Sequence, residues 1–222
     1  MAEAPSERTR IHRHPERGSY EREQIDAILD EALICHVAFH DEEGRARILP
    51  TIHARVGDTL FLHGSRAGRP WKTLAGGAEV AVAATIVDGL VLARSAFEHS
   101  MNYRSVVVFG TAREVTDPDE QLVAARAITY HVAPGRENEA RMPTPEEYRQ
   151  TLLLAIPIEE ASAKIRTGGP KDPQEADALV WAGVLPIALV PGHAEAAEDL
   201  RDGIDVPEYL RDYRRPGRRP GT

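Results

Sequence analysis

From residue 34 to residue 115, short apolar runs rich in β-branched residues alternate with polar turn clusters, the pattern of consecutive strands. Residues 34–40 end at Asp41-Glu42-Glu43-Gly44, a hairpin signal. Residues 45–56 alternate strictly. Ala46, Ile48, Pro50, Ile52, Ala54 and Val56 share one face, and Arg45, Arg47, Leu49, Thr51, His53 and Arg55 share the other. Pro50 has no N–H, which predicts a bulge or an exposed edge there. After the turn Gly57-Asp58 the chain returns over 59–63, so three strands form a meander. Residues 79–87 predict a buried strand, Asp88-Gly89 a tight turn, and Leu90 to Arg94 its partner. A last long strand covers 103–115. Six or more strands with short turns predict a closed or nearly closed antiparallel barrel.

Helical signals flank this block. Ser19 is placed to cap a helix starting at Tyr20, with Ile25, Ile28, Leu29, Ala32 and Leu33 on one face. A short helix over 68–75 stops at Gly76-Gly77. Asp117-Pro118-Asp119-Glu120 opens a helix to about His131, and Thr144-Pro145-Glu146-Glu147 and Asp172-Pro173-Gln174-Glu175 repeat that start signal. Residues 152–158 add a strand. The expected organisation is a flexible arm over 1–18, a barrel domain with helical additions over 19–195, and a tail over 196–222.

Composition narrows the function. With 27 basic and 35 acidic residues the net charge is −8, which argues against a nucleic-acid binder. Arg211, Arg214, Arg215, Arg218 and Arg219 crowd the C-terminus, where a solvated tail is expected. Cys35 is the single cysteine and sits in an alternating apolar strand, as a buried structural thiol does. The chain has no apolar run of 18 residues, so a membrane partner is not expected, and a soluble cytoplasmic protein is.

Many chemistries have no signature here: GxSxG, the Walker A loop, GxGxxG after a strand, HExxH and CxxC are all absent. His36 and His40 would share a strand face about 13 Å apart, too far for one ion, and no metal site is expected. Two other segments carry chemistry. In His63-Gly64-Ser65, with Gly68, Arg69 and Lys72, glycines permit close backbone approach, a hydroxyl and two cations converge, and helix N–H groups would face the same region. A terminal phosphate suits that set; the plain alternative is a solvated turn with two surface cations. In Asn102-Tyr103-Arg104-Ser105, polar residues run straight into Val106-Val107-Val108-Phe109-Gly110. A charge entering a buried strand needs a partner. That partner is either an anionic ligand on which Tyr103 could stack, or a carboxylate at a hairpin base. Together the two segments fit an aromatic, phosphate-bearing ligand such as flavin mononucleotide (FMN).

These two motifs resemble the FMN-binding split-barrel family related to pyridoxamine 5′-phosphate oxidase, nearest the subgroup of flavin-nucleotide-binding proteins and nitroimidazole-resistance reductases. Asp88 to Ser95, Ser162 to Arg166 and Trp181 to Pro186 support the resemblance, which covers about residues 20–190. It implies a six-stranded antiparallel Greek-key split β-barrel, mainly β with peripheral helices. It also implies a homodimer with FMN at the interface and an oxidoreductase that passes electrons through FMN to a small organic substrate. A flavin carrier, or the same barrel holding a deazaflavin coenzyme or haem, is the alternative. By the same resemblance Arg47, Ile48, Leu49, Pro50 and Thr51 border the isoalloxazine edge. His63 and Gly64 follow on the next strand, with Ser65 and Gly68, and Arg69 binds phosphate with Lys72 beside it. Asn102, Tyr103, Arg104 and Ser105 form one wall, with Ser105 where the oxidases carry a glutamine, and Trp181 adds an aromatic. His63 is the expected proton donor.

Overall fold

The computed structural model of the chain describes residues 3–213; Arg214, Arg215, Arg218 and Arg219 of the basic tail lie outside the described residues. In chain order the elements are β1 (Gly18–Ser19), α1 (Arg22–Glu31), β2 (Cys35–His40), β3 (Ala46–Thr51), β4 (His53–Val56), β5 (Thr59–Ser65), α2 (Arg69–Ala75) and β6 (Glu79–Leu92). There follow β7 (Ser100–Thr111), β8 (Arg113–Glu114), α3 (Pro118–Val132), α4 (Pro145–Gln150), β9 (Thr151–Pro157), β10 (Glu160–Arg166), β11 (Gly183–Pro186) and α5 (Glu208–Arg211). The strands build two antiparallel sheets. The first runs β1-β10-β7-β6-β2-β3, with β11 also on β6, and the second runs β4-β5-β9-β8. The fold is therefore mainly β with peripheral helices, as expected.

One apolar core lies between the sheets. Val37, Val82, Val106 and Val108 of the first sheet meet Leu60, Leu62, Leu154 and Ile156 of the second. Ile25, Ile28 and Leu29 of α1 and Leu74 of α2 complete it. On its other face the second sheet carries Phe61, Leu153 and Ala155 against Ala124 and Ile128 of α3. The N-cap Asp117, which accepts from Glu120 N at 2.9 Å, and the full capping box at Thr144 start α3 and α4 where the sequence places them. Cys35 is buried, and burial pushes its thiol pKa up to about 12.

Several expectations change. The alternating run 45–56 is two strands, not one. The chain leaves the first sheet at Ile52, and His53 and Ala54 are buried in the second. Asp88-Gly89 is no turn: β6 runs straight through it with a bulge between Val87 and Gly89. β10 was not foreseen, because its small and polar residues (Ala161, Ser162, Ala163, Lys164) carry little strand propensity. Helix α1 starts two residues later than expected; Ser19 lies in β1 and accepts from Glu21 N at 3.2 Å. The third capped helix is a single 3-10 turn, since Asp172 turns its buried carboxylate to the Arg94 N–H (2.5 Å) and guanidinium (3.1 Å). The N-terminal arm is docked rather than detached. Arg8 pairs with Glu79 and Glu160 and lies 5.1 Å over the Phe109 ring, and Gly18-Ser19 pairs with β10. At the other end Tyr209 packs on Gly135, and its hydroxyl donates to Glu139 at 2.7 Å. No helix among the described residues is long and apolar enough to cross a membrane.

Candidate functional site

Strand alternation governs the Asn102 to Ser105 segment. Arg104 shares the inward face of Val106 and Val108, under the C-terminal end of α1. Its guanidinium is clamped by two carboxylates, Glu31 (2.5 and 2.9 Å) and Asp88 (2.9 and 2.7 Å). The hydrogen bonds it donates, first to Glu31 and then to Asp88, hold its pKa above the ordinary arginine value. The bulge is what aims Asp88 at it. Of the two partners that the sequence left open for Arg104, an anionic ligand or a carboxylate, the guanidinium meets carboxylates on both sides. Asn102, beside the bulge, is buried and accepts from Arg166 Nη1 at 2.6 Å. Tyr103 and Ser105 face the opposite way from Arg104. Ser105 Oγ donates to the Lys164 carbonyl at 3.3 Å, and Tyr103 lies cross-strand from Val87 and Arg166. The single wall expected from four consecutive residues is split between two faces of the sheet.

The segment after β5 is also rearranged. A side chain at Gly64 would place its Cβ 1.9 Å from the Trp71 indole, and one at Gly68 would come within 2.9 Å. Both glycines make room for Trp71, which packs against the barrel core from α2, so the close approach is by a side chain and not by a phosphate. Ser65 Oγ accepts from Ala67 N at 3.3 Å. Arg69 and Lys72 are exposed, and neither has an acidic partner among the described residues. They remain available to an anion. His63 lies on the face of Phe61, opposite Gly64; its Nδ1 is buried with no hydrogen-bond partner among the described residues. Burial lowers its pKa, which favours the neutral ring. That weakens the expected role of proton donor.

β3 pairs only with β2, so its outer edge has no strand partner among the described residues. This is the edge that Pro50 predicts. Leu49 turns inward, Ile48 is 70% exposed, and Arg47 is held by Asp41 (2.9 Å). Thr51 is half-buried, and its hydroxyl donates to the Ile52 carbonyl. On the outer face of the first sheet, Ala38 lies beside Ala81, Ala83 beside Val107 and Thr85 beside Ser105, with the larger Phe109 beside Ala81 and Tyr103 beside Val87. This face is bounded by Ile48 and Pro50 on one side and by Lys164 and Arg166 on the other. Trp181 is exposed just before β11 and folds over Gly183. No hydrogen bond or ion pair among described residues joins the His63 to Lys72 segment with Asn102 to Ser105; they belong to different sheets. Sequence reading passed over Trp71, although an indole flanked by Gly64 and Gly68 was a usable signal. Glu31 carried no such signal, and Arg166 entered only within the block Ser162 to Arg166, with no role of its own.

Residues 21–165 match the family model described as pyridoxamine 5′-phosphate oxidase. Among solved structures, the flavocytochrome Anf3 from Azotobacter vinelandii is similar at 33% identity and a TM-score of 0.88. The alignment covers 96% of this chain and 99% of that one. The FAD and heme binding protein from Mycobacterium smegmatis is similar at 36% identity and a TM-score of 0.85, over 91% and 100% of the two chains. A protein from Bacteroides thetaiotaomicron proposed to confer 5-nitroimidazole antibiotic resistance, at 21% identity and a TM-score of 0.57, covers 67% and 86% and shares the fold. No curated protein matches.

Proposed function

The chain belongs to the pyridoxamine 5′-phosphate oxidase family of flavin-binding split barrels, and from that premise we propose that it is a flavoprotein of the flavocytochrome type. It binds a flavin nucleotide together with haem and passes electrons between them or to a small organic substrate. The observation that carries this reading is the likeness, over more than nine-tenths of the chain, to two proteins named for those cofactors. The same likeness favours FAD over the FMN expected from the sequence.

The residues present fit such groups. Arg69 and Lys72, two cations without acidic partners among the described residues, would hold a flavin phosphate. The outer edge of β3 offers main-chain groups from Arg47 to Thr51 to the rim of a flavin ring. His63 keeps a buried nitrogen without a hydrogen-bond partner among the described residues, and an imidazole of that kind would be able to hold haem. We assign His63 to the cofactor rather than to proton delivery. When bound, flavin and haem supply the electron chemistry, and the protein positions them and limits water.

The active form in this reading is a homodimer. Its support is the unpartnered β3 edge, the exposed Ile48, and the exposed apolar side chains of Phe97, Met101, Leu179 and Trp181, which a single chain leaves uncovered. Absorbance of the purified protein, with chromatography of the released cofactors, tests the proposal. Flavin bands and a Soret band are expected, with FAD in the extract. A colourless protein that takes up neither added flavin nor added haem refutes it.

A further inference from the structure

Arg166 is the one buried lysine or arginine among the described residues, only 6% exposed, and no carboxylate pairs with it. Its guanidinium donates to Asn102 Oδ1 at 2.6 Å and to the Gly168 and Gly169 carbonyls at 3.4 Å. These acceptors are neutral. A buried charge without a counter-charge is costly, and the contrast with Arg104, less buried and held by two carboxylates, is sharp. Burial and the nearby charge of Arg17 lower the Arg166 pKa, the opposite of the shift at Arg104.

The surroundings add positive charge. Arg17 immediately precedes Gly18, the register partner of Lys164, and its acidic contact is the exposed Glu16 at 3.7 Å. Lys164 Nζ donates to the Arg13 carbonyl at 2.9 Å. Tyr103, cross-strand from Arg166, has no hydrogen bond from its hydroxyl to a described residue. Three cations and one phenol therefore gather at one corner of the outer face of the first sheet, in a chain whose net charge is −8.

We propose that Arg166, with Arg17 and Tyr103, is an anion site that holds a carboxylate or phosphate of the cofactor lying on that face. The inference rests on the flavin–haem reading. It is a second anion site, at the first sheet, whereas Arg69 and Lys72 lie on helix α2. An arginine fork matches two oxygens of a carboxylate or phosphate. Haem propionates and the diphosphate of FAD both present them.

The experiment titrates the cofactor-free protein separately with FAD, haem and haem dimethyl ester, following flavin fluorescence and the Soret band, in the wild type, Arg166→Gln and Arg17→Gln. Arg166→Gln is expected to lose about tenfold or more in affinity for one of the two cofactors and little for the other, with a smaller loss in Arg17→Gln. If propionates are the occupant, the wild type binds the dimethyl ester as weakly as Arg166→Gln binds haem. If the diphosphate is the occupant, the loss falls on FAD and the ester binds like haem. A folded Arg166→Gln that binds both cofactors as tightly as the wild type overturns the proposal while leaving the flavin–haem reading intact. Should Arg166→Gln fail to fold, unchanged affinities in Arg17→Gln overturn it. A wild type that binds neither cofactor refutes the reading and the anion site with it.

Discussion

Replacing Arg104 with methionine separates a structural clamp from a ligand contact. The guanidinium makes four hydrogen bonds, two to Glu31 and two to Asp88. The side chains are 28%, 14% and 33% exposed, so the group is partly shielded from water. Arg104→Met keeps much of the aliphatic stem and leaves two carboxylates facing each other without a cation. Removing one partner of a buried ion pair costs about 3–5 kcal/mol. Partial exposure puts this site near the lower end, about 3 kcal/mol. For a chain of this size that corresponds to a fall of roughly 6–12 °C in Tm. Urea denaturation measures the loss directly, and adding Glu31→Gln and Asp88→Asn to Arg104→Met should recover most of it, because the uncompensated charges disappear. Flavin and haem affinity of the folded variant should stay within about twofold of the wild type. A variant as stable as the wild type but unable to bind cofactor would refute the clamp and restore Arg104 to the ligand site.

Four further outcomes are expected. Gly64→Ala drives its Cβ into the Trp71 indole and should cost about 2–3 kcal/mol in urea denaturation, with Trp71→Leu in the same chain relieving part of it. The joint variant Arg69→Ala with Lys72→Ala should lose about 10- to 100-fold in flavin affinity by fluorescence titration while its Tm holds; unchanged affinity would show the phosphate lies elsewhere. Glu147, in the α4 capping box and held by Arg141, has its pKa lowered from 4.5 to about 2. It therefore stabilises the fold above pH 4.5 and loses that contribution as pH falls toward about 2, so the Tm gap between wild type and Glu147→Gln should close across that window. Cys35, its thiol pKa pushed up to about 12, should resist a thiol reagent at pH 8 until denaturant is added, and rapid labelling of the native protein would contradict its burial.

Local pattern was enough for much of this fold. Period-two apolar spacing located the strands from β2 to β7, and Asp117 and Thr144 marked the starts of α3 and α4 through short-range capping bonds. Pro50 announced an edge, and Cys35 a buried thiol, because each depends on its own backbone or immediate neighbours. Strand β10 escaped, since alternation among alanine, serine and lysine is a faint signal. The site was less legible. Alternation already implied that Arg104 and Ser105 face opposite sides, yet nothing local named Glu31, 73 residues away, as the residue that neutralises Arg104. The paired glycines announced a close approach, and only packing identified Trp71 as what approaches. Arg166 meets Asn102 across 64 residues, and its lack of a carboxylate is a property of the assembled sheet. The sequence by itself determined which positions pair with backbone and which face the core, because those preferences act over a few residues. Which charges are compensated, and which are left for a ligand, was decided only when distant strands were brought into register.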